Sequence, residues 1–322
     1  MRHFKTLGFP LLRKAIDIYK TWRLTRYYSM GVDAAKNEEP WIIYMADGRL
    51  HHGGLADRIC GMVSAFNYCL KHDFVFKINF VCPYQLSKIL EPGHYDWRIE
   101  QDTISYNSMD AAPIYLSVFS NKYSLVEGYF NKRLSCLHKK QIHFYSNSRF
   151  FHEEEFSRLF SEMFKPAPML QTLIDENIKK LPEHYVSLTF RFQQLLGDFK
   201  EDGFPTLKNE DEKELLIEKC LRCIESLHHQ EQSTILVTSD SMSFLERVKV
   251  FDYVYTISGS IRHMDFSTEE SVDISVDMKS FVDFYLLAHA DKLYLSTIKP
   301  LYRSGFPRVA ALVYNKQFME IS

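Results

Sequence analysis

No run of eighteen or more uninterrupted apolar residues occurs in this 322-residue chain, which excludes a membrane-spanning helix by pattern. The first thirty residues also lack an apolar stretch followed by a small-residue cleavage site, so no secretory leader is expected. Cysteine is scarce. Cys60, Cys69, Cys82, Cys136, Cys220 and Cys223 are irregularly spaced and too sparse for a disulfide scaffold, which predicts reduced core thiols and a cytoplasmic address. The common phosphate-binding and nucleophile motifs are missing too. Without G-x-G-x-x-G or G-x-x-x-x-G-K-[ST], ordinary dinucleotide binding and P-loop chemistry are unsupported. There is no G-x-S-x-G elbow and no D-x-D pair to hold Mg²⁺ on a diphosphate. Cys220-x-x-Cys223 has no second pair at zinc spacing and falls in a helical pattern, so core thiols are the better reading. Internal repeats and low-complexity tracts are absent.

The remaining composition, 46% hydrophobic and 25% charged, supports a sizeable core. At roughly 150 residues per domain, the length predicts two domains. A net charge of -2 conceals an asymmetry: Arg2, Lys5, Arg13, Lys14, Lys20, Arg23 and Arg26 against Asp17 give residues 1–30 a local +6. Apolar Leu7, Leu11, Leu12, Ile16, Ile18, Tyr19 and Trp22 run through the same segment at near-helical spacing. Two readings stay open, a basic amphipathic helix on an anionic membrane surface or a helix docked on the body with a solvated basic face. Nucleic acid is not an expected partner, because the body is not basic and carries no binding motif.

Trp41–Met45 reads as a buried strand, followed by His51, His52, Gly53 and Gly54. Leu55, Ile59, Val63, Phe66 and Leu70 then mark one face of a helix, and Phe74–Val81 a second strand, completing a βαβ unit. Ile114–Phe119 and Ile142–Tyr145 are candidate strands. A helix over Glu153–Phe164 stops at Lys165-Pro166-Ala167-Pro168, where the domain boundary is placed. Beyond it strands at Tyr185–Phe190, Thr234–Thr238, Tyr253–Ile257 and Lys292–Ser296 alternate with helices near Glu212–His228, Met278–Ala290 and Ser304–Tyr314. That alternation predicts parallel, doubly wound sheets. The expected organisation is a basic segment 1–36, a domain 37–164 and a domain 165–322.

In such sheets ligands bind beyond the carboxyl ends of strands, where three polar clusters fall. The first is His52-Gly53-Gly54-Leu55-Ala56-Asp57-Arg58, in which the glycines admit a close backbone approach and a helix start favours an anion; an ordinary turn is the alternative. The second is Arg191 at the end of an apolar strand, with Gly197 and Asp198 following. Its fork suits a diphosphate, and a loop-closing salt bridge to Asp198 or Glu201 is the alternative. The third is Ser239-Asp240-Ser241, joined on this topology by Ser304-Gly305; these residues could hold a nucleotide or simply cap helices.

In their order along the chain these segments resemble the motifs of fucosyltransferases of the protein O-fucosyltransferase and α-1,6-fucosyltransferase superfamily, particularly its bacterial polysaccharide branch. HGGLADRICGMVSA (52–65) is similar to the N-terminal glycine loop. TFRFQQLLGD (189–198) is similar to the H-x-R-x-G-D segment, with Thr189 at the histidine position and two extra residues before Gly197. Ser239-Asp240 and residues 283–311 resemble the remaining two motifs. The resemblance implies a GT-B fold, two Rossmann-like domains facing a cleft, and inverting transfer of fucose from GDP-fucose to a surface glycan, with no metal and no further cofactor. By that carry-over Arg191 binds the diphosphate and neutralises the departing GDP, while Asp240, Ser241, Ser304 and Gly305 contact the donor. His52, Gly53, Gly54 and Arg58 line the acceptor side, and Asp57 and Asp198 are candidate bases. A lipid-linked acceptor would place the protein against the inner membrane face.

Overall fold

The computed structural model describes residues 4–117, 122–198, 205–259 and 274–322, which form two compact units divided between Lys165 and Pro166. Phe119 and Glu201 lie outside the described residues.

In the first unit, α1 (Phe4–Thr25) precedes β1 (Trp41–Ala46), α2 (Leu55–Lys71), β2 (Val75–Phe80), β3 (Leu90–Pro92), β4 (Ala111–Leu116), α3 (Tyr123–Leu134), β5 (Gln141–Ser146), α4 (Glu153–Met163) and β6 (Phe164–Pro166). The main sheet has the order β2-β1-β5-β4 and is parallel throughout. All six residues of β5 are buried, as expected of a parallel strand covered on both faces. The predicted apolar face of α2 packs as expected at Leu55, Ile59, Val63 and Phe66, whereas Leu70, in its last turn, is exposed. A Cβ on Gly61 would lie 2.1 Å from the Ser146 carbonyl oxygen, so glycine lets α2 approach β5 closely. Three glutamates in the first turn of α4 offset its dipole, and Phe156, Leu159, Phe160 and Met163 turn to the core.

The edge of this sheet is covered unusually. β4 offers backbone groups to solvent, and side chains of α1 take them. Thr21 Oγ1 accepts from Tyr115 N–H at 2.9 Å and Asp17 accepts from Ser117 N–H at 2.9 Å, while Arg13 donates to the Ser117 carbonyl at 3.0 Å.

The second unit contains α5 (Pro168–Ile178), β7 (Tyr185–Phe190), α6 (Glu210–Glu231), β8 (Thr234–Ser239), α7 (Met242–Val248), β9 (Val254–Tyr255), α8 (Ile274–His289), β10 (Lys292–Ser296), α9 (Phe306–Val313) and β11 (Gln317–Ile321). Its parallel sheet has the order β11-β10-β7-β8-β9. The sequence expectation for Tyr253–Ile257 shrinks to two paired residues, since only Val254 and Tyr255 reach β8. Leu216, Ile217, Cys220, Ile224 and Leu227 of α6 form the core side, with Val186, Leu188, Ile235 and Val237 opposite. Burial raises the Cys220 and Cys223 thiols to about 12 and about 11, so both are protonated at neutral pH. None of the six cysteines is in a disulfide; Cys136 departs from the core expectation by standing exposed after α3.

Candidate functional site

The sequence-predicted residues fall into two groups, one at the carboxyl ends of each sheet's central strands. In the second unit, β7 and β8 are neighbours, so the residues that leave them meet although 48 positions separate Phe192 from Asp240. Arg191 Nη1 donates to Asp240 Oδ2 at 2.7 Å. The same carboxylate accepts from the backbone N–H groups of Phe192 and Gln193, each at 2.7 Å. The Asp240 side chain is 5% exposed and that of Arg191 20%, so a buried anion anchors a cation that still reaches the surface. Burial raises the Asp240 pKa, against the lowering effect of Arg191 and the two backbone donors. Gln193 adopts φ 54°, a left-handed conformation costly for a non-glycine residue, and it persists because Asp240 grips its N–H.

Arg191 thus has an ion-pair partner, Asp240, that the sequence reading did not consider, while Glu201, one of the two it did, lies outside the described residues. Asp198, the described one of the two expected partners, instead accepts from Ser243 Oγ at 3.0 Å and from Ser241 Oγ. Ser241 is fully buried and caps α7 by accepting from Phe244 N–H at 3.1 Å. Its cap role therefore holds, and Asp240 serves as the brace of the arginine loop. Thr189 is buried and shares a 2.8 Å hydrogen bond with Thr238, which joins the two strands where they end. Tyr302 N–H donates to the Arg191 carbonyl at 2.9 Å and so brings the loop after β10 to the same place. Two residues on, Ser304 Oγ accepts from Phe306 N–H at 3.2 Å, and Gly305 begins α9 with open space where a Cβ would stand.

In the first unit, His52, Gly53, Gly54, Asp57 and Arg58 span the turn from β1 into α2. A Cβ on Gly53 would come within 2.6 Å of Asp57 Oδ2 and 2.9 Å of the Asn147 carboxamide, so a larger residue there would have to displace these side chains. Asn147, immediately after β5, accepts from Gly53 N–H at 2.5 Å and donates to the Ser146 carbonyl at 3.1 Å. Its carboxamide lies 3.3 Å from His52 Nδ1. Burial, reinforced by the nearby Arg58 charge, lowers the His52 pKa to about 3, so this imidazole is neutral at physiological pH. Asp57 is exposed in the first turn of α2. Arg58 corrects the expectation of a cleft-lining side chain. It is buried, donates to the Gly53 and Cys82 carbonyls at 2.9 and 3.0 Å, and lies over the Phe80 ring.

Asn147, Gln193, Ser243 and Tyr302 were not singled out by sequence. The available signal for Asn147 was its place directly after a strand, which acquires meaning once β5 is known to lie beside β1. Among the described residues no group of three or more His, Cys, Asp or Glu is arranged to hold a metal ion, and no helix is long and apolar enough to cross a membrane.

These two units and their sheets define the GT-B class of fold. The fucosyltransferase NodZ from Bradyrhizobium has it, with a TM-score of 0.54, 16% identity and coverage of 86% of this chain and 94% of that one. A mutant of Arabidopsis thaliana FUT1 in complex with GDP matches with a TM-score of 0.55, 13% identity and coverage of 89% and 71%. POFUT1 in complex with GDP matches with 0.52, 9% identity and coverage of 88% and 99%. No protein-family model matches the sequence, and no curated protein matches it.

Proposed function

We propose that the protein is an inverting fucosyltransferase that uses GDP-fucose and needs no metal, acting on a glycan acceptor of surface polysaccharide. The observation that carries this reading is Arg191, braced by Asp240 at the carboxyl end of β7 in a fold also found in proteins solved with GDP or GDP-fucose. In the reaction, an acceptor hydroxyl attacks the anomeric carbon of fucose from the face opposite the nucleotide. The bond between that carbon and the β-phosphate oxygen breaks, and GDP leaves with the electron pair. Negative charge grows on the leaving diphosphate, where a fixed guanidinium stabilises it more than it stabilises the intact donor. The hydroxyl proton passes to a carboxylate, for which Asp57 and Asp198 are the candidates. Asp240 acts as a positioning residue: its three donors hold the Arg191 loop before substrate arrives.

Calorimetry with GDP in the presence and absence of EDTA tests the charge assignment. Equal affinity in both is expected; binding that disappears with EDTA transfers the neutralising role from Arg191 to a metal and overturns it. Donor that binds and is neither transferred nor hydrolysed with any glycan would favour a nucleotide-sugar-binding protein without turnover, for which Thr189 at the histidine position is the motivating departure.

A further inference from the structure

Helix α1 is turned inside out for a helix on a globular surface. Such helices normally bury an apolar stripe and expose a polar one. Here Arg13, Asp17, Lys20 and Leu24, spaced by four, three and four, face the body, and three of the four are charged. Besides the bonds of Arg13 and Asp17 to the β4 edge, Lys20 Nζ donates to Tyr115 Oη at 3.0 Å, and only Leu24 joins the core, beside Ile43, Met45 and Tyr145. Two residues earlier at the same spacing, Leu11, Ala15, Ile18 and Trp22 form the opposite stripe, and it is exposed. Leu11 is 68% exposed, Ile18 62% and Trp22 67%, with Leu12 and Tyr19 exposed alongside. Contiguous apolar surface of this kind marks a contact that remains to be made.

The charges around the stripe select its occupant. Asp17 is the only acidic residue of α1, and it is fully buried against β4. Exposed Lys14, Arg23 and Arg26 flank the stripe. A cavity of about 500 Å³ opens where α1 meets the body, and its lining includes Lys14, Lys132 and Arg133 together with Tyr129 and Ile18, the last a member of the outward stripe. Apolar and aromatic side chains pointing outward, bordered by cations and with no outward acid, are complementary to a lipid surface with anionic headgroups. We propose that α1 lays Leu11, Ile18 and Trp22 into the interface of an anionic membrane, with Lys14 and Lys132 gathering headgroup phosphate at the cavity, whose third cation, Arg133, is held by Thr21 and the Tyr115 carbonyl. This inference does not depend on the identity of the donor.

The protein should co-sediment with vesicles of phosphatidylcholine and phosphatidylglycerol at 7:3, and Trp22 emission should move to shorter wavelength as it leaves water. Ile18→Ser with Trp22→Ser should weaken binding by about tenfold or more, the scale of apolar side chains no longer buried. Lys14→Gln and Arg23→Gln should each cost about fivefold, and pure phosphatidylcholine should bind far more weakly. All four positions are exposed, so the substituted proteins should melt close to the unsubstituted one. Equal binding to both vesicle types, binding unchanged by the Ile18 and Trp22 substitutions, or no binding at all overturns the proposal. So does a dimer in sedimentation velocity that the same two substitutions dissociate, which would make the occupant a second copy.

Discussion

Arg191 directly follows β7 and Arg58 stands in the first turn of α2, the helix that follows β1, and the fold uses the two arginines oppositely. Arg58 is turned inward and donates to two backbone carbonyls, closing the turn into α2. Arg191 is held from behind by a buried carboxylate and keeps part of its guanidinium at the surface. Carbonyl partners neutralise no charge; they satisfy donors and fix a loop. A carboxylate brace fixes the position of a cation while backbone N–H groups share the anion. The type of partner, more than arginine itself, separates a scaffold residue from one placed to meet an anionic ligand.

The largest expected effect sharpens that contrast in catalysis. Arg191→Lys keeps the charge beside Asp240 and loses the two-pronged geometry, so turnover of GDP-fucose should fall about 10²- to 10³-fold, with a smaller loss of donor affinity. Turnover equal to that of the unsubstituted protein would reduce Arg191 to a loop-closing ion pair. Next comes stability. Arg58→Met leaves the Gly53 and Cys82 carbonyls without that donor inside the fold, which should cost about 3 kcal/mol in denaturant unfolding. A loss under about 1 kcal/mol would place Arg58 with the exposed arginines and erase the distinction.

The titratable neighbour of each arginine gives a subtler test, with opposite signs. His52 near Arg58 has its pKa lowered from 6.5 to about 3 in the fold. Its contribution to stability is therefore present above pH 6.5 and lost as pH falls below it, by about 2 kcal/mol between pH 7 and pH 5. His143, also lowered to about 3 by burial, acts in the same direction, so the His52 share is the difference between the unsubstituted protein and His52→Gln. Asp240 beside Arg191 is raised above 3.8, so its contribution is full below that value and declines as pH rises through the folded value. Identical pH–stability curves for His52→Gln and the unsubstituted protein would show that the imidazole titrates as freely in the fold as outside it.

Much of this was legible from pattern. Tyr185–Phe190 and Lys292–Ser296 stand where the alternation put them, because buried parallel strands are uninterrupted apolar runs between turns. Helix α3 and strand β11 were not legible. Polar residues dominate the exposed face of α3, and only Val126, Phe130 and Leu134 pack inward; β11 is an edge strand, defined by pairing to β10 more than by its own residues. The site was legible as a set of places but not as a set of bonds. Arg191 and Asp240 stood out separately, whereas their pairing is a property of strand order, and the nearer Asp198 was the natural partner in sequence. The direction of Arg58 was hidden for the same reason, since Cys82 approaches it only through β2 lying beside β1.

The side-chain cover on β4 bears on how this protein can be shortened. Thr21 and Asp17 occupy main-chain donors that a neighbouring strand would otherwise seek. Removing α1 would bare a six-residue sheet edge next to Ile114 and Leu116, and bared edges recruit one another. A trimmed protein that precipitates or forms higher assemblies would therefore say nothing about lost membrane affinity. Substitutions on the outward stripe, which leave the edge guarded, are the variants that can separate the two.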